Sequence, residues 1–102
     1  MIARMWSART TSQKLDAYKT HLSQNVFPEL RSIQGFIRAE LLTRRAASGE
    51  LEIVVTTVWK DLAAVEAFAH PDSEAAVVAP EAAALLSDYD RRVRHYEITL
   101  AT

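Results

Sequence analysis

Two adjacent β-type segments in the middle of the chain constrain its fold most. Residues 36–45 (FIRAELLTRR) and 51–59 (LEIVVTTVW) are rich in the β-branched, aromatic and aliphatic side chains that favour strands. Between them lies Ala46-Ala47-Ser48-Gly49, a short polar turn with a glycine late in it. This spacing is typical of a hairpin loop, so the two segments predict an antiparallel pair of strands.

A strand and a helix are predicted before the hairpin. Residues 2–9 (IARMWSAR) alternate loosely in β-compatible side chains, and Thr10-Thr11-Ser12 then offers hydroxyl groups that can cap a helix. Apolar side chains follow at steps of three and four, which indicates one buried helix face. They are Leu15, Tyr18, Leu22, Val26, Leu30 and Ile33. Pro28 can kink this helix, and Gly35 ends it.

A broken helical region and a final strand are predicted after the hairpin. Asp61 can cap a helix through Phe68, and His70-Pro71 breaks it. Asp72 or Ser73 can cap a further turn or two, and Pro80 can start a short piece that ends near Leu86. Residues 92–100 (RVRHYEITL) read as the last strand. The order β-α-β-β-α-β predicts an α+β, ferredoxin-like fold over residues 1–102, with an antiparallel sheet and both helices on one face.

The strand over residues 51–59 is apolar on both faces. Its two sets of side chains are Leu51, Ile53, Val55 and Trp59 on one side, and Val54 and Val58 on the other. The helices can cover only one face of the sheet, so the other face needs an apolar partner. In a chain of 102 residues we expect a second copy to be that partner, which makes the protein a homodimer.

Composition excludes several classes of function. The chain has no cysteine, which removes disulfides and thiolate metal sites, and its two glycines cannot build a phosphate-binding loop. A net charge of -1 favours neither nucleic acid nor an anionic membrane as partner. No apolar run approaches the roughly 20 residues of a membrane span, so we expect a cytoplasmic protein. Three scattered histidines predict no metal site.

Four stretches resemble the antibiotic biosynthesis monooxygenase family of the dimeric α+β barrel superfamily. They are IARMW, VFPELRSIQGF, VVTTVWKDLAAVEAFA and RRVRHYEI, and together they extend over nearly the whole chain. The resemblance implies two protomers whose sheets meet in a barrel, with a pocket in each between sheet and helices. Its members include cofactor-independent oxygenases of aromatic polyketides and quinols, haem-degrading enzymes, and proteins without an established role.

Aromatic and cationic side chains are the first candidates for a binding site. The resemblance implies that Trp59 borders the pocket, although an aromatic side chain that covers the sheet edge is the plainer interpretation. Trp6 shares its strand face with Arg4, and together they could supply an aromatic wall and a cation for a phenolate or carboxylate. The alternative for Arg4 is an ion pair with Glu40 or Glu97.

Two histidines are candidate general bases. His95 lies in the last strand and could deprotonate a phenol, or could simply be buried and hydrogen-bonded. His70 corresponds to a haem-ligating histidine of the haem-degrading members, but these also carry an asparagine on the first strand, where this chain has none. The resemblance therefore argues against haem, and a helix-terminal role is the simpler one for His70.

The remaining polar candidates are weaker. Arg38 could stabilise an anion or lie in the barrel or interface, and Tyr89 could contact substrate or pack. We expect Asp72 to be a cap and His21 to be exposed to solvent. Two functions follow: a monooxygenase of a small electron-rich aromatic that needs no cofactor, or a dimeric binding or structural protein without catalysis.

Overall fold

The computed structural model describes residues 1–69 and 72–102. Its strands are β1 (Ile2–Thr10), β2 (Phe36–Arg45), β3 (Leu51–Trp59), β4 (Asp88–Tyr89) and β5 (Arg94–Glu97). Its helices are α1 (Ser12–His21), α2 (Phe27–Arg31), α3 (Leu62–Ala69) and α4 (Pro80–Ala83), and a π-helical turn (Leu22–Val26) joins α1 to α2.

The strands form one antiparallel sheet in the order β2-β3-β1, with β4 and β5 both paired to the free edge of β1. Alternation along β1 sends Arg4, Trp6 and Ala8 to one face and Met5 to the other. The first face is packed against the helices and holds the core, so it is called the helix face, and the opposite one the outer face. The predicted α+β architecture is confirmed.

The central hairpin has the predicted bounds. Strands β2 and β3 pair antiparallel from Arg45↔Leu51 to Phe36↔Trp59. Gly49 has φ +90, a conformation that glycine adopts without steric cost. The turn chemistry therefore sets the register, which in turn decides which side chains of β3 reach the helix face.

The last strand, predicted over residues 92–100, is shorter in the structure, where β5 extends only over Arg94–Glu97. Residues 91–93 leave β1 and bond to the loop after α3: the amide of Ala76 donates to the carbonyl of Arg91, and that of Val93 to the carbonyl of Glu74. Pairing with β1 stops after Glu97 because β1 itself begins at Ile2. The amide of Ile98 bonds to the carbonyl of Met1, and the residues beyond it have no strand to pair with.

The first helical region is interrupted before Pro28. The π turn precedes the proline, which lacks an amide hydrogen and therefore cannot donate the helical hydrogen bond expected at its position. In the second region Asp61 accepts a hydrogen bond from the amide of Ala64 at 3.0 Å, as a cap does. Asp72 caps only a turn, through the amide of Glu74, and also pairs with Arg92 at 2.7 Å.

Gly35 separates α2 from β2 in a conformation that its surroundings require. Its φ is +94, and a Cβ placed on it would lie 2.7 Å from the Cβ of Ala64 in α3. Its carbonyl accepts a bond from the amide of Lys60 at 2.7 Å. The backbone at Gly35 can therefore approach α3 this closely only because glycine has no side chain.

We expect Gly35→Ala to destabilise the protein more than Gly49→Ala. Both residues have positive φ, which costs an alanine about 1–2 kcal/mol, but a Cβ at Gly49 meets nothing within 4 Å. The overpacking against Ala64 should add about 1–3 kcal/mol at Gly35 only. Urea unfolding of both variants measures the difference, and equal losses would contradict the contact.

Candidate functional site

A cavity of about 210 Å³ lies between the helix face of the sheet and the first helical region. Its floor and inner walls are formed by side chains of β1, β3, α1, α2 and the π turn, and residues 77–79 close it from the loop before α4. The lining side chains are Arg4, Trp6, Tyr18, His21, Leu22, Asn25, Val26, Glu29, Leu30, Val55, Thr57, Phe68, Val77, Val78, Ala79, Glu81, Ala82 and Val93. The lining is mostly apolar, with a few polar groups, as small-molecule sites usually are.

Arg4 is the cation of this cavity. It is 5% exposed, and its guanidinium donates to the carbonyl oxygens of Ser73 and Ala75, the latter at 2.9 Å. Its Cζ also lies 5.6 Å from the ring centroid of Phe68. Burial lowers the pKa of Arg4 to about 10, which leaves it charged at neutral pH.

The expected alternative for Arg4, an ion pair, does not occur in the structure. Among the described residues, Glu40 pairs with Arg38 at 3.0 Å and Glu97 lies 3.5 Å from the amino group of Met1. Arg4 takes part in none of the ion pairs found there. Within residues 1–69 and 72–102, the hydrogen-bond partners of this charge are neutral acceptors.

His95 lies beside Arg4 rather than on the cavity wall. Strand pairing puts it opposite Arg4, whose Nη1 lies 2.9 Å from the His95 Nε2. An arginine can only donate, so Nε2 accepts and the ring is neutral. Burial, and then the charge of Arg4, lower the pKa of His95, in keeping with that state. His95 thus orients the guanidinium.

Trp6 forms an aromatic wall of the cavity. Its indole NH donates to the carbonyl of Asp90 at 2.7 Å, which fixes the ring between β4 and β5. The ring of Tyr89 packs on the indole with the ring centroids 6.0 Å apart. The Cζ of Arg91 lies 4.3 Å from the centroid of the Tyr89 ring. Tyr89 itself does not line the cavity. Its contact is with Trp6, which does line the cavity.

Trp59 is a core residue in this structure. It is 0% exposed, stacks on Phe68 at 5.7 Å and meets Phe36 edge-on at 5.3 Å. Its indole NH donates to the hydroxyl of Thr57 at 2.8 Å, and both Thr57 and Phe68 line the cavity. Trp59 therefore holds two wall residues in place without reaching the cavity itself.

The helical wall contains polar side chains that the sequence did not reveal. The expectation that His21 is exposed is wrong: it is 9% exposed and lines the cavity. It follows Tyr18 by three residues, so it shares that buried face of α1. Its Nδ1 lies 3.2 Å from Nδ2 of Asn25 in the π turn. Burial raises the pKa of Tyr18 to about 12, so its hydroxyl stays protonated.

The other predicted site residues lie elsewhere. Arg38 points to the outer face, across the sheet from the cavity, where it is exposed and paired with Glu40. His70 lies outside the described residues. Within residues 1–69 and 72–102, no group of three acidic or histidine side chains could hold a metal ion.

Residues 1–80 match the family model described as "Antibiotic biosynthesis monooxygenase". The chain belongs to the antibiotic biosynthesis monooxygenase family. No curated protein shows significant sequence similarity to it. In the part of the chain that the structure describes, no helix has both the length and the apolar character needed to cross a bilayer.

Two solved structures that bear the same family name share the fold of this family member. One, from Bacillus cereus, superimposes with a TM-score of 0.71 at 14% identity, over 100% of this chain and 94% of that one. The other, from Deinococcus radiodurans, has a TM-score of 0.61 at 14% identity, over 100% and 96%. At such identities the likeness shows the fold alone.

The two tryptophans of this monooxygenase-family protein should respond differently to Phe substitution. Trp59→Phe should lower the free energy of unfolding by about 1–3 kcal/mol, because it leaves a void in a filled core. Trp6→Phe should instead weaken binding of an aromatic ligand about 2- to 10-fold, since part of the wall is lost. Urea unfolding and calorimetric titration with 2-naphthoate measure both. A binding defect in Trp59→Phe alone would reverse the assignment.

Proposed function

We propose that this protein is a monooxygenase of a small electron-rich aromatic substrate, of the quinol or aromatic polyketide kind, that works without a resident cofactor. The observation that carries the proposal is the buried Arg4 cation on the wall of an otherwise apolar cavity. Membership of the family supports oxygenation as the reaction class. The substrate and the independence from a cofactor are our inference from the cavity.

The size of the cavity favours a substrate with one or two rings. Its volume of about 210 Å³ is below the roughly 300–1,000 Å³ of sites for drug-sized ligands. Trp6, Phe68 and Val55 offer flat or apolar contacts to such a ring. A tricyclic substrate would require residues 77–79 to move outward.

Arg4 is suited to hold an anionic oxygen. A guanidinium has five N–H donors, and three hydrogen bonds of Arg4 go to Ser73, Ala75 and His95. The remaining donors can meet a substrate oxygen in a site of low polarity, where a fixed positive charge stabilises a phenolate most strongly. Arg4 would thus lower the pKa of a bound phenol.

The reaction needs only the substrate and dioxygen. For 1,4-naphthohydroquinone, loss of a phenolic proton gives a phenolate, which transfers an electron to O₂. Recombination of the resulting radical with superoxide forms a C–O bond, and loss of water then gives 2-hydroxy-1,4-naphthoquinone. One O₂ is consumed, one oxygen atom enters the product and the other leaves as water, so no external reductant is required.

The charges at the cavity mouth favour entry of a neutral molecule. Glu29 and Glu81 line the rim and are exposed, so they repel an anion that approaches from solvent. A hydroquinone is neutral at neutral pH and would be deprotonated inside, near Arg4. His70 is the proton acceptor in the proposal, because the Nε2 of His95 already accepts a hydrogen bond from Arg4 and His95 does not line the cavity. Loss of oxygen uptake in His70→Gln tests this role.

One observation favours the alternative, a dimeric binding or structural protein without catalysis. The hydrogen bonds of Arg4 tie β1 to residues 73–75 and to β5, which is also what a structural arginine would do. The two functions differ in whether oxygen is consumed.

Arg4→Gln should lower the rate of oxygen uptake with 1,4-naphthohydroquinone by about 10²-fold or more, because the charge that stabilises the phenolate is lost. Arg38→Gln is the matched control: it removes an arginine from the outer face and should retain activity. An oxygen electrode measures both after subtraction of the protein-free rate. No uptake by the wild type would favour the non-catalytic alternative, and loss only in Arg38→Gln would move the anion site to the outer face.

We also propose that the outer face forms a homodimer. Exposed apolar side chains lie on it: Met5, Leu42 and Tyr96 are 37%, 47% and 48% exposed. Arg38–Glu40 and Arg44–Glu52 pairs border them, so a second copy would meet apolar and mixed-charge surface. Val58, on the same face, is already 1% exposed in the single chain and needs no partner.

Leu42→Asp should convert the dimer to a monomer, because it puts a charge into an apolar interface expected to exceed about 1,000 Å². Leu62→Asp is the control, since Leu62 is 44% exposed on α3, away from the outer face. Light scattering after size exclusion at micromolar protein should give twice the chain mass for the wild type and for Leu62→Asp. A monomeric wild type would refute the interface.

A further inference from the structure

We propose that His21 is a second substrate-binding residue, which donates a hydrogen bond to an oxygen atom of the substrate that Arg4 does not hold. The proposal rests on the proposed function for the identity of the cavity as a substrate site. It adds a polar group on the helical wall, opposite the sheet from which Arg4 projects.

The hydrogen bond from Asn25 determines the tautomer of the neutral His21 ring. The Asn25 Nδ2 lies 3.2 Å from the His21 Nδ1, and an amide nitrogen is a donor only. The Nδ1 atom must therefore accept, so that in the neutral ring the proton is on Nε2. The ring acts as a hydrogen-bond donor through that atom.

The second ring nitrogen, Nε2, is accessible to a ligand in the cavity. The side chain is 9% exposed, and its Nε2 has no hydrogen bond to any other described residue. Among the described residues, this atom does not belong to the fully buried side-chain nitrogen and oxygen atoms that lack a partner, so its N–H is accessible to a ligand. A ligand that displaced water from this N–H would have to accept its hydrogen bond or leave it unsatisfied at a cost. Because His21 lines the cavity, a ligand oxygen there would supply the acceptor.

The surroundings give this donor a defined position. The ring of Tyr18 packs beside it with the centroids 6.3 Å apart, and Leu22 follows it at the start of the π turn. Asn25 lies at the exposed rim and the imidazole lies inside it. π turns of this kind recur at functional sites. The cavity thus offers a cation on the sheet and a neutral donor on the helical wall.

Such a cavity selects ligands with two oxygen-bearing ends. A phenolate or enolate oxygen would be held by Arg4, and a carbonyl or hydroxyl oxygen at the other end of the ring would accept from His21. The anion of 2-hydroxy-1,4-naphthoquinone has both groups. The anion 2-naphthoate has a similar ring and charge but no oxygen at the far end, so the two compounds form a matched pair of probes.

The test is calorimetric titration of the whole protein with both probes. His21→Phe removes the donor and retains a ring, and should weaken binding of 2-hydroxy-1,4-naphthoquinone about 10-fold or more while changing that of 2-naphthoate less than about threefold. His21→Gln retains an N–H donor and should keep affinity for both probes near the wild-type value. Equal weakening of both probes by His21→Phe would overturn the proposal, because cavity shape alone would then explain the loss.

Nuclear magnetic resonance gives an independent readout of the tautomer. Long-range ¹H–¹⁵N spectra in mildly alkaline solution should show His21 protonated on Nε2, with its signals assigned by their loss in His21→Gln. Protonation on Nδ1 would overturn the proposal even if the variant bound weakly.

Failure of this inference is distinguishable from failure of the proposed function. Both probes bind without turnover, so selective weakening by His21→Phe would support the subsite even in a protein that consumes no oxygen with 1,4-naphthohydroquinone. Conversely, oxygen uptake that depends on Arg4, in a protein whose probe affinities do not depend on His21, would retain the oxygenase and reject the subsite.

Discussion

The buried guanidinium of Arg4 is the interaction on which the site depends. A charge in a cavity of low polarity is costly unless its donors are satisfied. Here the acceptors are Ser73, Ala75 and His95, which lie 69, 71 and 91 positions after Arg4 in the sequence. One side chain therefore fixes the loop after α3 and the last strand against the centre of the sheet.

The side chains on the two walls of the cavity are held in place by different contacts. On the sheet, Trp59 lies behind the cavity and orders Thr57 and Phe68 by a hydrogen bond and by stacking. On the helical side, the hydrogen bond between Asn25 and His21 joins two of the lining side chains. The charged group of the cavity, Arg4, thus lies on the sheet wall, and the neutral donor, His21, lies on the helical wall.

Local sequence patterns were sufficient for most of the fold but for less of the site. The bounds of β2 and β3 follow from β-propensity and the late glycine of their turn, because both signals are local. The late start of the last strand, at Arg94 instead of Arg92, depends on hydrogen bonds of Arg91 and Val93 to a loop distant in sequence, which no local pattern reports.

The candidate site shows the same division. The shared strand face of Arg4 and Trp6 was predicted from alternation alone. The burial of His21 was missed, although its spacing from Tyr18 was a usable signal, because a polar residue beside an apolar stripe is normally solvated. The hydrogen-bond partners of Arg4 could not be predicted, because Ser73 and Ala75 accept through main-chain oxygens, which every residue possesses.

Residues 77–79, which close the cavity, are not the residues that carry its polar groups. The charged and hydrogen-bonding groups belong to a strand and a helix, whereas Val77, Val78 and Ala79 belong to no helix or strand. Substitution of these three side chains would alter the shape of the cavity while leaving the positions of Arg4 and His21 unchanged. Related proteins could thus differ in the ligands that they accept through changes in this short loop, while the side chains on the strand and the helix stay the same.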